Sequence, residues 1–222
     1  MSKINTDDIR KTFKGYEAAG EHGFRHFAIL VPILQIRAKD QCTYEPQLLY
    51  EVRAAKLDRQ PGEICFPGGL IEPRETPLQA ALRETEEEVG IPREDIEIAA
   101  KLDSVYSTSG SQIHCYLGII RQETSTVINR DEVAEIFTVA IDELMKTAPE
   151  IFENRLVQEP DPDFPYERVT AGKMYPWRTG ISPVPVYDVK DTTGKSRIIW
   201  GLTGRITKQF IEILNEGSKT HY

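Results

Sequence analysis

The sequence predicts an α/β fold in which a mixed β-sheet is sandwiched between α-helices. Two observations carry this reading. Apolar stretches of strand length recur along the chain, from Phe27–Ile36 to Arg197–Trp200, and two longer amphipathic patterns, Thr76–Gly90 and Thr203–Leu214, have helical spacing. The 222 residues exceed one small domain and fall short of two. That predicts a single domain over residues 1–222, with an N-terminal helix at about 6–19 and a C-terminal extension at about 150–222.

Composition narrows the function. With 40% hydrophobic and 28% charged residues, the mixture is ordinary for a globular protein. A net charge of −8 argues against broad nucleic-acid binding, which needs a basic face, and still allows a small anionic substrate where cations reverse the local field. No apolar run reaches membrane-spanning length, and the opening MSKINTDDIRK lacks the apolar core of a signal peptide. Cys42, Cys65 and Cys115 are scattered and form no C-x-x-C pair. The expectation is therefore neither zinc nor a disulfide framework, and a cytoplasmic location.

Taken in order, Thr6–Ala19 predicts a short amphipathic helix packed at the terminus, with Thr6 as cap, Asp7 and Asp8 in the first turn, and Ile9, Phe13 and Tyr16 on one side. His22 and His26 follow as structural histidines. Phe27–Ile36 is a nearly continuous apolar run and predicts a buried strand, with Pro32 pointing to an edge or a bulge. A polar turn, Ala38–Gln47, joins it to a second strand, Leu48–Arg53, as a hairpin. Ala54–Gly62 is a loop bearing Lys56 and Arg59. Glu63–Phe66 is a short strand running into Pro67-Gly68-Gly69, where two glycines allow close backbone approach to a ligand. Ile96–Val105 and Ile113–Ile120 are strands around a polar loop, and His114 alternates with apolar neighbours as a sheet histidine. Ile136–Ile141 is a strand and Asp142–Met145 a short helix. Pro160–Pro185 holds no period and reads as an ordered loop. Val184–Val189 and Arg197–Trp200 form a hairpin, and Thr203–Leu214 is a closing helix with Ile206, Phe210, Ile213 and Leu214 on one side.

The central helix has a legible start and stop. Thr76 is an N-cap, Pro77 suits the first helical position, Gln79 completes a capping box, and Gly90 suits a left-handed cap. Leu78, Ala81, Leu82, Thr85 and Val89 make the core stripe. Glu84, Glu87 and Glu88 cluster on another face at i, i+3 and i+4. Like charges one turn apart cost roughly 0.2–0.5 kcal/mol. Arg83 offsets part of this by pairing with Glu87, and a divalent cation would offset more, since Mg²⁺ takes carboxylates together with substrate phosphates. A bare E-x-x-E-E is ordinarily a solvated acidic face; the fixed positions around this one change the balance.

From Gly69 the spacing runs five residues to Glu75, seven more to Arg83-Glu84-Thr85, then Glu87-Glu88 and Gly90-Ile91. This resembles the Nudix box, G-x5-E-x7-R-E-U-x-E-E-x-G-U, with threonine for the first aliphatic residue. The stretch before it resembles the motif of coenzyme A pyrophosphatases, L-L-T-x-R-[SA]-x3-R-x3-G-x3-F-P-G-G. Leu49, Arg53, Ala54, Gly62, Phe66, Pro67, Gly68 and Gly69 match, while Tyr50, Glu51 and Asp58 depart from it. The later IIWGLTGRI resembles the C-terminal part of the same subgroup.

The resemblance implies the Nudix fold and Mg²⁺- or Mn²⁺-dependent hydrolysis of a pyrophosphate bond in a small nucleotide substrate. It makes Glu84, Glu87 and Glu88 the metal-binding carboxylates and has Glu75 and Arg83 brace loop against helix. Glu84, Glu87 and Arg83 are the candidate catalytic residues, with any of the three box glutamates as general base and Glu132 as a second candidate from a later loop. Arg53 and Arg59, with Lys56 nearby, and the backbone at Gly68 and Gly69 are the candidate substrate contacts. Gly90 is structural. The subgroup implies cleavage of coenzyme A or its thioesters to 3′,5′-ADP and (acyl-)4′-phosphopantetheine. Asp58, in place of the second arginine, keeps ADP-ribose or a nucleoside triphosphate open, and a non-catalytic ligand-binding Nudix module is the reading from another class. A homodimer through the N-terminal helix or the proline-rich excursion is the partner expected by analogy.

Overall fold

The computed structural model describes residues 4–16, 24–37, 44–122 and 124–219. In chain order these form α1 (Thr6–Phe13), β1 (Arg25–Arg37), β2 (Tyr44–Arg53), β3 (Ile64–Cys65), β4 (Gly68–Leu70), α2 (Pro77–Val89), β5 (Ile96–Lys101), β6 (Val105–Ser107), β7 (Ser111–Ile120), β8 (Val133–Ala140), α3 (Ile141–Lys146), β9 (Glu150–Leu156), α4 (Tyr166–Thr170), β10 (Gly180–Lys190), β11 (Ser196–Ile199) and α5 (Gly201–Lys219).

The apolar run becomes the centre of a mixed sheet. β1 runs parallel to β7 along one side, and its other side is shared by β4 at Phe27–Ile29 and β2 at Ile33–Arg37, both antiparallel. β2 parts from β1 beyond Leu48 and pairs there with β3, and its far side carries β8. β7 likewise carries β5 and β6 in succession. Pro32 sits where β1 changes partner, between the ladders to β4 and β2. Leu30 N donates to Pro67 O at 3.0 Å on that side, so the alternation of a strand turns Pro32's missing donor into a gap where no ladder bond is required. The expected edge or bulge is therefore a junction inside the sheet.

Both faces of this sheet are covered, which explains the continuous hydrophobicity of β1. Ala28 and Leu30, with Leu49 of β2, pack against Ala80, Ala81 and Val89 of α2. On the opposite face Val31, Leu48 and Tyr50 pack against Tyr187 and Ile199 of the second sheet and Ile206 and Phe210 of α5. The second sheet has the order β11-β10-β9. Tyr50 is fully buried, and its hydroxyl stands 3.1 Å from Thr207 Oγ1, fixing α5 to β2. Arg197 of β11 binds Glu135 through two nitrogens, at 2.9 and 2.5 Å, and Asp191 at 2.8 Å, while lying 4.1 Å from the centre of the Phe137 ring.

Several expectations are corrected. α1 is capped by Asn5 in a capping box with Asp8, not by Thr6, because Asn5 has the extended backbone that a cap requires. Its Ile9 and Phe13 are exposed, as is Tyr16 just beyond it; the Phe13 and Tyr16 rings meet edge-on at 5.8 Å, and the apolar side is not buried in the core. Residues 17–19, His22, Cys42 and most of the 38–47 turn lie outside the described residues. The predicted strand Ile96–Val105 is two strands, parted at Leu102–Ser104. Part of the predicted loop Pro160–Pro185 is α4 and the start of β10, whose partner β9 was not expected. Pro183 and Pro185 are tolerated because that stretch of β10 pairs on one side only, with β9.

Candidate active site

α2 forms as its sequence dictates. Thr76 Oγ1 accepts from Gln79 N at 3.3 Å, Gln79 Oε1 accepts from Thr76 N at 2.9 Å, and Gly90 takes the left-handed cap at φ 69°. Ala81, Thr85 and Val89 are buried as expected; Ala80 joins them, and Leu78 and Leu82 are half-buried. Thr85, the departure from the box, donates to Ala81 O at 2.7 Å, so its hydroxyl is satisfied inside the helix and its methyl packs in the core.

Arg83 is the clamp between loop and helix. Its Nε and Nη2 donate to the two oxygens of Glu75 at 2.9 and 3.1 Å, Nη1 donates to Glu84 Oε1 at 2.9 Å and Glu87 Oε2 at 3.0 Å, and Nη2 also reaches Leu70 O at 3.2 Å. Glu75's carboxyl is held below its ordinary range by this arginine, and the arginine is held charged mainly by Glu75. Every guanidinium nitrogen is engaged, which fixes where Glu84 and Glu87 stand.

Glu88, which the helical spacing sets on the acidic face away from the core stripe, is 4% exposed, and its Oε2 accepts from Gly68 N at 2.8 Å. Burial first, and then the charge of Glu51, push its carboxyl up to about 9. Glu84 is raised too, by burial, with Arg83 opposing and Glu87 and Glu132 adding to the rise. β4 lies directly on these carboxylates: a Cβ on Gly69 would fall 2.2 Å from Glu84 Oε1. Gly68 and Gly69 are thus the close approach that the sequence predicts.

Glu51 was missed. It lies on β2, 1% exposed, with Cys65 Sγ donating to its Oε1 at 3.1 Å and no partner for its Oε2 among the described residues. Burial, opposed by the Cys65 hydrogen bond and by Arg53, raises its carboxyl to about 7. The available signal is a charged residue among the apolar residues of the predicted strand Leu48–Arg53. Glu132, the second candidate from a later loop, is exposed and within electrostatic reach of Glu51, Glu84 and Glu88. Its loop is tied to the strand end, where Ala54 N donates to Glu132 O at 2.7 Å.

Of the basic candidates, Arg53 is brought beside the carboxylates, with its Nε held by Arg59 O at 3.3 Å. Arg59 contributes that main-chain oxygen while its own side chain is exposed, and Lys56 is paired with Asp131. His26 and His114 stack across β1 and β7 with ring centres 6.1 Å apart, and Ser104 Oγ lies 3.5 Å from His114 Nδ1. Burial lowers His114, and Lys101 and His26 lower it further. It is a sheet histidine, as its alternation predicts.

Glu51, Glu84, Glu87, Glu88 and Glu132 gather around the Gly68–Gly69 strand with Arg53 and Arg83 as the cations in reach. Among the described residues no three His, Cys, Asp or Glu side chains already converge as a metal site. The donor set still fits a hard divalent cation: carboxylate oxygens predominate, and a buried one, Glu51 Oε2, has no hydrogen-bond partner.

Comparison with known proteins agrees with this arrangement. The NUDIX domain model matches residues 33–159. Nudix hydrolase 3 of Caenorhabditis elegans is 29% identical over 199 residues, covering 87% of this chain and 75% of that protein. Peroxisomal coenzyme A diphosphatase NUDT7 of Mus musculus is 33% identical over 139 residues, 62% of this chain and about half of that protein, at 56%. A MutT/nudix family protein from Enterococcus faecalis shares the fold, with a TM-score of 0.50 at 17% identity over 96% of this chain and 70% of that one. No helix among the described residues is long and apolar enough to cross a membrane. With the family model covering more than half of its length, and with the box folded as a loop and helix locked by Arg83, the chain belongs to the Nudix family of pyrophosphohydrolases.

Proposed function

We propose that this chain hydrolyses the pyrophosphate bond of coenzyme A or an acyl-coenzyme A, giving 3′,5′-ADP and (acyl-)4′-phosphopantetheine, with Mg²⁺ or Mn²⁺ as cofactor. The observation that supports this most is the path of Leu49–Gly69. The segment that resembles the coenzyme A motif runs from β2 through the Arg53 loop to β4, with Gly68–Gly69 against Glu84 and Glu88 and with Arg53 in electrostatic reach of Glu51. The likeness to the mouse coenzyme A diphosphatase supports it further.

Glu84 and Glu88 would hold the cation, with Glu87 as a third ligand or on the water. When bound, the cation neutralises charge on the pyrophosphate and makes the attacking water more acidic. The residues of the chain do the rest. Arg53 offers a forked donor to a phosphate. Arg83 keeps Glu84 and Glu87 in place and acts by positioning. One of the box glutamates takes the proton from the attacking water, with Glu132 as the runner-up. Free thiols at Cys65 and Cys115 suit the reducing cytoplasm we propose as its location. A homodimer is the partner we propose, through the exposed apolar side of α1 or the proline-rich stretch 160–185.

A second reading, another nucleoside diphosphate derivative such as ADP-ribose, is favoured by one observation. Asp58 replaces the motif's second arginine, and the neighbouring Arg59 turns its side chain to solvent. A product assay decides. Coenzyme A, ADP-ribose and a nucleoside triphosphate are each incubated with the protein and Mg²⁺, and the products separated. Release of 3′,5′-ADP from coenzyme A with little turnover of the others supports the proposal; turnover of ADP-ribose alone overturns it.

A further inference from the structure

The residue that the box does not account for is Glu51. Leu48 and Tyr50 of β2 face the α5 side of the sheet and Leu49 faces the α2 side. Strand alternation therefore turns Glu51 toward α2, where the next apolar residue of a core would stand. A carboxylate occupies the position instead, and threonine stands there in the motif that this stretch resembles. It is almost wholly buried, between Cys65 on β3 and Ile136 on β8. Its Oε1 has the Cys65 thiol, a weak donor, and its Oε2 has no hydrogen-bond partner among the described residues.

Burying such a group unpaired is costly, and native proteins pair buried charges or place them on metals. No basic side chain among the described residues supplies the pairing. Arg53 is the cation in reach, but it forms no ion pair with Glu51 among the described residues, and its Nε is turned to Arg59 O. The remaining neighbours, Glu84, Glu88 and Glu132, are carboxyls as well. What the position lacks is a cation.

We propose that Glu51 is a further metal-binding carboxylate of this site, donating through Oε2 to a divalent cation shared with Glu88. This rests on the metal-dependent reading of the box glutamates and adds a ligand from the sheet to those on the helix.

The test counts metal ions rather than turnover. Free Mn²⁺ is titrated against the wild-type protein, Glu51→Gln and Glu51→Thr by electron paramagnetic resonance, and thermal melts are recorded in EDTA. The expected result is that both variants lose one bound Mn²⁺ or bind it about tenfold or more weakly, in the range that disturbed metal sites show. Their melting points in EDTA should equal or exceed the wild type's, because an unpaired buried charge has gone. Wild-type stoichiometry and affinity in folded variants would overturn the proposal. Lower metal-free melting points with unchanged Mn²⁺ binding would do the same, by showing a purely structural glutamate. If neither variant folds, anomalous diffraction from wild-type crystals soaked in Mn²⁺ decides: a peak at coordination distance from Glu51 Oε2 supports the assignment, and peaks on the box glutamates alone reject it. Wild-type protein that binds no Mn²⁺ would instead bring down the metal reading of the whole site.

Discussion

Gly69 and Glu84 share one small volume: a methyl group on the glycine would stand 2.2 Å from the glutamate's Oε1. The clash is with the end of a side chain and not with backbone, so the fold can absorb it while the carboxylate cannot stay in place. Gly69→Ala should therefore change stability by no more than about 1 kcal/mol and lower kcat by about 10- to 100-fold. Denaturant melts and steady-state kinetics check both halves. Full activity in the alanine variant would show that the position of Glu84 is not critical.

Arg83→Lys keeps the charge and loses the fork. Lysine cannot serve Glu75, Glu84, Glu87 and Leu70 O together. We expect kcat to fall by roughly 10- to 100-fold with KM little changed, the signature of misplaced catalytic groups. A rise in KM at constant kcat would instead mark Arg83 as a substrate contact.

The Asp191–Arg197–Glu135 network sets an acid limit. Arg197 and Lys195 hold Glu135 at about 2, below its ordinary 4.5. Burial would raise Asp191, but hydrogen bonds from Thr193, Arg197 and the chain around Lys195 outweigh it and hold it at about 2, below 3.8. Both carboxyls bind protons less readily in the folded state. Their stabilisation is thus present above about pH 4.5 and is lost as the pH falls toward 2. Arg197→Leu leaves Asp191 buried without its counter-charge and should cost about 3 kcal/mol or more at neutral pH. Its stability should also vary less between pH 4.5 and 2 than the wild type's, which urea melts at stepped pH measure.

What the sequence made legible was local. The start of α2 was readable because Thr76, Pro77 and Gln79 act within one turn, and its end because Gly90 alone sets the cap. The box glutamates were readable by their spacing. Glu88's burial was not, since it depends on β4 crossing the helix and donating from Gly68. Glu51 was hidden for the same reason: a lone glutamate in a strand gains meaning only when β2 is laid beside α2. β9 carried no signal because it is exposed along its whole length and so has no alternation to read. Asn5 was passed over for Thr6 because one residue of register at a helix start is decided by backbone angles.

The most direct test of the account is turnover of coenzyme A by the wild type and by Glu88→Gln, each with Mg²⁺. Glu88 is buried against Gly68 and central to the carboxylate group. The account predicts release of 3′,5′-ADP by the wild type and a fall in kcat of roughly 10²-fold or more in the variant, with the fold retained by circular dichroism. Wild-type rates from a folded Glu88→Gln protein would contradict it.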